Sequence, residues 1–180
     1  LSLNMFLIFV IMSGTEKIIL VSKENEEFLI PRISAELSVL LKNTTQDYPI
    51  DQPIPLYEIE SKCLKLIIEY LEHYNGNSPK EIEKPLPHGD FKEIVDEFQY
   101  FYINKISLEL LVDLTSAANF MEIPSLLDLC CAKIASMCLD KTEDELYQTF
   151  GIQEKFTPEE RQKLKEENQW LDLDSFNMMY

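Results

Sequence analysis

Thr142-Glu143-Asp144-Glu145 and Thr157-Pro158-Glu159-Glu160, followed by Glu166-Glu167-Asn168-Gln169-Trp170, decide how the chain ends and therefore how it is built. In each of the first two runs, a threonine hydroxyl and a glutamate three residues later can satisfy orphan helix amides reciprocally. Pro158 adds a first helical residue whose missing N–H costs nothing. Two short helices in series are expected. Between them, Phe150-Gly151-Ile152 and Phe156 set large apolar side chains on a segment too short to bury them alone. They must pack on the body of the protein or on another protein.

Upstream of this region the pattern is helical, with segments expected at about 91–103, at 107–121 after Ser107, and at 124–139 with Pro124 in the first turn. In the last of these, Leu126, Leu127, Cys130, Ile134, Met137 and Cys138 form an apolar face. Further back, Cys63, Leu64, Ile67, Ile68, Leu71 and Tyr74 step by three and four, the period of an amphipathic helix. Residues 75–90 carry Gly76, Pro79, Pro85, Pro87 and Gly89 among charges, which describes an exposed loop.

Ile18-Ile19-Leu20-Val21 and Phe28-Leu29-Ile30 are short runs rich in β-branched and aromatic residues, separated by a polar turn, and they read as a hairpin. Ser34 is positioned to cap a helix bearing Leu37, Leu40 and Leu41, with polar turn chemistry from Asn43 to Gln52. Pro53-Ile54-Pro55-Leu56 reads as an edge strand, because proline cannot donate to a central ladder. The order β-β-α-β-α, a loop and five helices predicts an α+β fold: a small mixed sheet covered by helices, with a C-terminal helical extension. The apolar run Met5 to Met12 falls short of the roughly 20 residues needed to span a bilayer. Met12-Ser13-Gly14-Thr15 resembles a natural start, so residues 1–16 are expected to be a non-native or disordered leader.

The 32 acidic and 16 basic residues give a formal net charge of -16, which repels phosphate backbones and anionic lipid heads. Neither nucleic acid nor membrane is an expected partner. Cys63, Cys130, Cys131 and Cys138 include no C-x-x-C pair, so buried thiols in a reducing compartment are expected rather than disulfides or zinc. Four glycines, at 14, 76, 89 and 151, cannot build a dinucleotide or P-loop phosphate cradle. His73 and His88 stand apart from any ligand set, and no nucleophile elbow is present. No catalytic residue, cofactor or metal is expected.

Several of these runs together resemble a known family across about 17–173: the S-phase kinase-associated adaptors of Skp-cullin-F-box ubiquitin ligases. Pro53-Ile54-Pro55-Leu56 is similar to that family's third strand. Ala117-Ala118-Asn119-Phe120-Met121-Glu122-Ile123 is similar to a helix end in which the family carries tyrosine at the position of Phe120. Leu126-Leu127-Asp128, Thr149-Phe150-Gly151-Ile152, Phe156-Thr157-Pro158-Glu159-Glu160 and Glu166-Glu167-Asn168-Gln169-Trp170 complete the series in family order. Departures mark a divergent member: Gln99-Tyr100-Phe101-Tyr102-Ile103 stands in place of a Trp-Asp-x-Glu-Phe stretch, and Thr115-Ser116 replace apolar residues.

The resemblance implies a BTB/POZ-type cullin-binding module over 17–123, a helical F-box-binding region over 124–173, and a tail at 174–180. It further implies a non-catalytic adaptor in ubiquitin-dependent protein degradation, cytoplasmic and nuclear, with a cullin and F-box proteins as partners. Asn119 and Phe120 would face the cullin, the phenylalanine keeping the apolar contact and losing a hydroxyl. Cys131, Ile134, Phe150, Ile152, Phe156 and Trp170 would contact the F-box, although core closure is an equal reading for Cys131 and Ile134. For Asn119 a helix-terminating role competes, since asparagine tolerates the left-handed turn conformation. Pro158 matches a proline that is hydroxylated in some protist relatives, while its helix-starting position accounts for it without modification. The alternatives are an elongin C-like adaptor, against which residues 142–173 argue, a weakly self-associating BTB scaffold, and a small metal-dependent enzyme.

Overall fold

A computed structural model describes residues 16–47, 52–86, 90–139, 141–153 and 156–168. Strand β1 (Lys17–Val21) pairs antiparallel with β2 (Glu27–Pro31), Ile19 opposite Leu29, as the expected hairpin. Strand β3 (Ile54–Pro55) joins the other side of β1 in parallel, with Leu20 opposite Ile54, so the sheet order is β2-β1-β3. The proline-flanked strand is indeed an edge, and Leu56 N–H continues the ladder to the Val21 carbonyl at 2.7 Å. Alternation sends Ile18, Leu20 and Ile30 into the core.

Helix α2 (Ser61–Tyr74) lies against this sheet, burying Cys63, Leu64, Ile67, Tyr70 and Leu71. Each such side chain contributes roughly 1.5–3 kcal/mol on full burial. Tyr70, absent from the expected apolar stripe, is fully buried, with its ring 5.6 Å from Tyr102 and 4.9 Å from Tyr74. The start of α2 is capped from the hairpin turn rather than from its own sequence. Ser61 donates both its N–H and its hydroxyl to the Glu24 carboxylate, at 2.7 and 2.6 Å, and the Ser22 hydroxyl lies 2.7 Å from that of Ser61. These bonds to the charged form hold Glu24 down at about 2. At the other end of α2, a Cβ on Gly76 would sit 2.9 Å from the Ile33 carbonyl, and φ there is +82°, so the chain turns where glycine alone fits.

Four expectations need correction. The helix expected over 91–103 is two helices, α3 (Phe91–Ile94) and α4 (Glu97–Asn104). Asp96 breaks the run by adopting an extended conformation and forming a capping box with Gln99, while its second oxygen accepts the Tyr74 hydroxyl at 2.7 Å. Ser34 does not cap the first helix either. It lies in a 3₁₀ turn, Ser34–Leu37, and α1 (Val39–Asp47) is capped by Ser38, whose oxygen accepts Leu41 N–H at 3.1 Å. Helix α1 extends into the stretch expected to be a turn, and inside it the Thr44 hydroxyl donates back to the Leu40 carbonyl at 2.8 Å. Finally, the loop over 75–90 is mostly exposed among its described residues, as expected, but it is also fastened to the body. Ile82 is buried, Leu86 packs against the core, and Lys84 meets Asp128 at 2.7 Å. His88 lies outside the described residues. His73 is at the surface, stacked on Phe98 at 3.5 Å.

Helices α5 (Leu108–Phe120) and α6 (Pro124–Cys138) form where expected and pack on each other, burying Leu111, Leu114, Ala118, Leu126, Leu129 and Cys130. Because α6 closes this core, the compact unit ends at Leu139. A second unit follows, holding α7 (Glu143–Thr149) and α8 (Pro158–Glu167), each with the expected threonine–glutamate capping box. Pro158 is the first residue of α8, and the Arg161 guanidinium reaches Glu143 at 2.6 Å.

Glu24 is bound in the charged form in the folded state, so its stabilisation is present above about pH 4.5 and is lost as pH falls toward 2. Acid titration of stability should therefore show wild type and Glu24→Gln well separated at neutral pH and converging near pH 2. A constant separation across that window would show that Glu24 does not cap α2.

Candidate functional site

The connection between α5 and α6 is a tight αL turn built without glycine. Glu122 N–H reaches the Asn119 carbonyl at 3.1 Å and Ile123 N–H reaches the Ala118 carbonyl at 2.9 Å, the paired bonds of a Schellman motif. The left-handed residue is Glu122, with φ +50°, so Asn119 lies within the helix and the competing terminator role assigned to it by sequence is not the one it fills. The turn is clamped from α1. The Ser38 hydroxyl donates to the Met121 carbonyl at 2.6 Å, and Val39 N–H donates to the Glu122 carbonyl at 3.0 Å. Met121 and Ile123 are fully buried beneath it. Asn119 and Phe120 consequently stand at the surface on a rigid support, Phe120 with 45% of its area exposed.

Val112 and Ser116 precede Phe120 at four-residue intervals and share its side of α5, Val112 being 52% exposed. Beside Phe120 opens a cavity of about 320 Å³, floored by Ile59, Cys63 and Ala117 and rimmed by Glu58, Glu60, Asp113 and Ser116. Lys62 bridges Glu60 at 3.2 Å and Asp113 at 3.0 Å, and these two partners raise its ammonium above the ordinary lysine range. Burial pushes the Cys63 thiol up to about 11 and Cys130 to about 12, leaving both protonated at neutral pH. Among the described residues, no three His, Cys, Asp or Glu side chains could hold a metal, and no helix is long and apolar enough to cross a membrane.

On α6, Leu127, Cys131, Ile134 and Cys138 recur at heptad spacing and are all at least partly exposed, while Leu129 and Cys130 face the core. Cys131 is exposed and Cys138 half-buried, so the expectation of four buried cysteines holds only for Cys63 and Cys130; Ile134 is half-buried. In the second unit α7 ends as α5 does, with Gly151 at φ +64° and Ile152 N–H on the Tyr147 carbonyl at 2.9 Å. Phe150 is half-buried, Ile152 is 49% and Phe156 53% exposed. Helix α8 has no apolar face: its described side chains are exposed and Leu164 is its single aliphatic residue. A helix polar all round gains little from packing on its own chain. Trp170 lies outside the described residues.

Two family models match the chain, the Skp1 family tetramerisation domain over residues 16–76 and the Skp1 family dimerisation domain over 124–171. An S-phase kinase-associated protein 1 homolog of Tetrahymena thermophila is 40% identical, over 88% of this chain and 96% of its own length. Suppressor of kinetochore protein 1 of Schizosaccharomyces pombe is 34% identical over 87% and 98%, and the E3 ubiquitin ligase complex SCF subunit sconC of Arthroderma benhamiae is 34% identical over 89% and 98%. This chain belongs to the Skp1 family. The first Skp1 model covers the sheet and α2, the second covers α6 through α8, and the Asn119–Phe120 corner falls between them.

Sequence reasoning missed the cavity, because Glu58, Glu60 and Asp113 come from two separate segments that only the fold joins. It also missed Val112, whose four-residue offset from Ser116 and Phe120 was legible as a stripe. The left-handed Glu122 generates a test. A non-glycine residue there costs roughly 1–2 kcal/mol, so Glu122→Gly should raise unfolding free energy by about 1 kcal/mol in denaturant titration. A loss of stability would mean that the turn is held by the Glu122 side chain instead of despite it.

Proposed function

We propose that this chain is the non-catalytic adaptor of a Skp-cullin-F-box E3 ubiquitin ligase, acting in the cytoplasm and nucleus in ubiquitin-dependent protein degradation. One face grips a cullin scaffold and another grips the F-box of a substrate receptor, and no covalent chemistry occurs on the adaptor. The observation that carries this reading is the rigidly clamped, solvent-facing Asn119–Phe120 corner in a chain of the Skp1 family. An aromatic side chain held out beside a surface amide suits recognition of another protein's helix: the ring contributes buried area and the amide fixes register. Its relatives include a subunit named for the SCF E3 ubiquitin ligase complex, which supports the same role.

The F-box contacts are assigned to Cys131 and Ile134 on α6 and, in the second unit, to Phe150, Ile152 and Phe156, with Trp170 outside the described residues. The part-exposed heptad stripe on α6 offers a seam for a partner helix. Ile152 and Phe156 flank a polar helix that buries nothing of its own, the composition of a segment that takes its packing from a partner. Burial of several such anchors, at roughly 1.5–3 kcal/mol each before the costs of association, is enough for a tight complex.

The two faces are separable by mutation. Asn119→Lys combined with Phe120→Lys should abolish cullin binding in a pull-down while leaving F-box capture and helix content unchanged; loss of both partners would contradict the assignment. Phe156→Ala, at an exposed position, should weaken F-box affinity by about tenfold in calorimetry, at the lower end for aromatic anchors, with cullin binding unaffected. An unchanged F-box affinity would remove Phe156 from that interface.

A further inference from the structure

The cavity beside Phe120 has a chemical bias that the adaptor reading does not by itself require. Its floor is apolar, formed by Ile59, Cys63 and Ala117, and its rim carries the carboxylates of Glu58, Glu60 and Asp113. Among the described residues, two lysines pair with this rim. Lys62 lies between Glu60 and Asp113 at 3.2 and 3.0 Å, and Lys23 approaches Glu60 at 3.7 Å. Glu58 is exposed and has no ion pair among the described residues, so the rim holds one carboxylate in excess. At about 320 Å³ the cavity is near the lower limit of small-molecule sites, a size suited to a side chain inserted by a partner.

We infer that Glu58 is a specificity-determining residue that receives a lysine or arginine presented by the cullin helix seated on Phe120. The inference rests on the adaptor reading, because it takes Phe120 as the centre of the cullin contact. Long basic side chains fit such a place on both counts. Their methylene stems lie along apolar surface while the charged head stays at the wet rim, and a cation beside the Phe120 ring is attracted by its face. An acidic or purely apolar side chain would leave Glu58 facing like charge or a dry neighbour, and this discriminates between partners as much as it strengthens binding. The bias is local. It lies at the junction of two apolar features, the Val112–Phe120 stripe and the cavity floor, where a partner must already make contact.

The test measures binding of the full chain to a cullin of the same organism by surface plasmon resonance across a series of salt concentrations. Glu58→Gln should weaken affinity roughly threefold, the scale of one exposed ion pair, and flatten its salt dependence. Glu58→Lys should weaken it roughly tenfold or more, chiefly through slower association. F-box capture by both variants should match wild type, which shows that they are folded. Equal affinity and equal salt dependence for wild type and both variants, with Phe120→Lys still abolishing binding, would overturn the inference and leave the adaptor reading standing. Failure of wild-type protein to bind cullin at all would overturn both.

Discussion

The clamp on the α5–α6 turn is the constraint from which the proposed partner surfaces follow. Ser38 and Val39, at the start of α1, bond two consecutive carbonyls, those of Met121 and Glu122, and the buried Met121 and Ile123 anchor the same segment from below. A left-handed glutamate persists there because the surroundings over-determine it. Two consequences arise from one arrangement. Asn119 and Phe120 are presented outward at the last turn of α5, and the direction of α6 is fixed, with Leu129 and Cys130 inward and Cys131 outward. The corner proposed to meet a cullin and the helix proposed to meet an F-box therefore share a mechanical origin in contacts from residues 38 and 39.

The polar interactions that shape the molecule fix the positions of its elements. Glu24 caps α2 across the hairpin turn, Asp96 both starts α4 and accepts from Tyr74, and Lys62 ties Glu60 to Asp113 at the cavity rim. The buried thiols of Cys63 and Cys130 are pushed well above neutrality by desolvation, the opposite of what a nucleophile requires. In the second unit, capping boxes and the Arg161–Glu143 pair build two helices, of which α7 buries Tyr147 and α8 has little apolar surface of its own. Such a segment gains stability from whatever it binds, which is consistent with a surface whose purpose is recognition.

Much of this was legible in residue order. The hairpin, the proline-bounded edge strand, α2, α5, α6 and both C-terminal capping boxes follow from periodicity and cap chemistry acting over a few residues. What escaped is non-local or competitive. Asp96-x-x-Gln99 is a capping box in plain view, yet the apolar residues on either side of it suggested one continuous helix. Ser34 and Ser38 are both plausible caps, and the choice fell to Ser38 because its hydroxyl also reaches Met121, 83 residues away. Ile82 lies in a stretch dense in proline and charge, and its burial depends on surface supplied by the rest of the fold. At the candidate site, Asn119 and Phe120 were found through family resemblance, whereas the carboxylate rim around Phe120 required the loop before α2 and the middle of α5 to be seen side by side.

The central claim is that one adaptor holds two different proteins at once on independent surfaces. Sedimentation velocity of the purified chain mixed with a cullin and an F-box protein tests it most directly. The account predicts a single species whose mass is the sum of one copy of each, with the cullin affinity unchanged by the presence of the F-box protein. Displacement of either protein by the other, leaving only binary complexes, would contradict it.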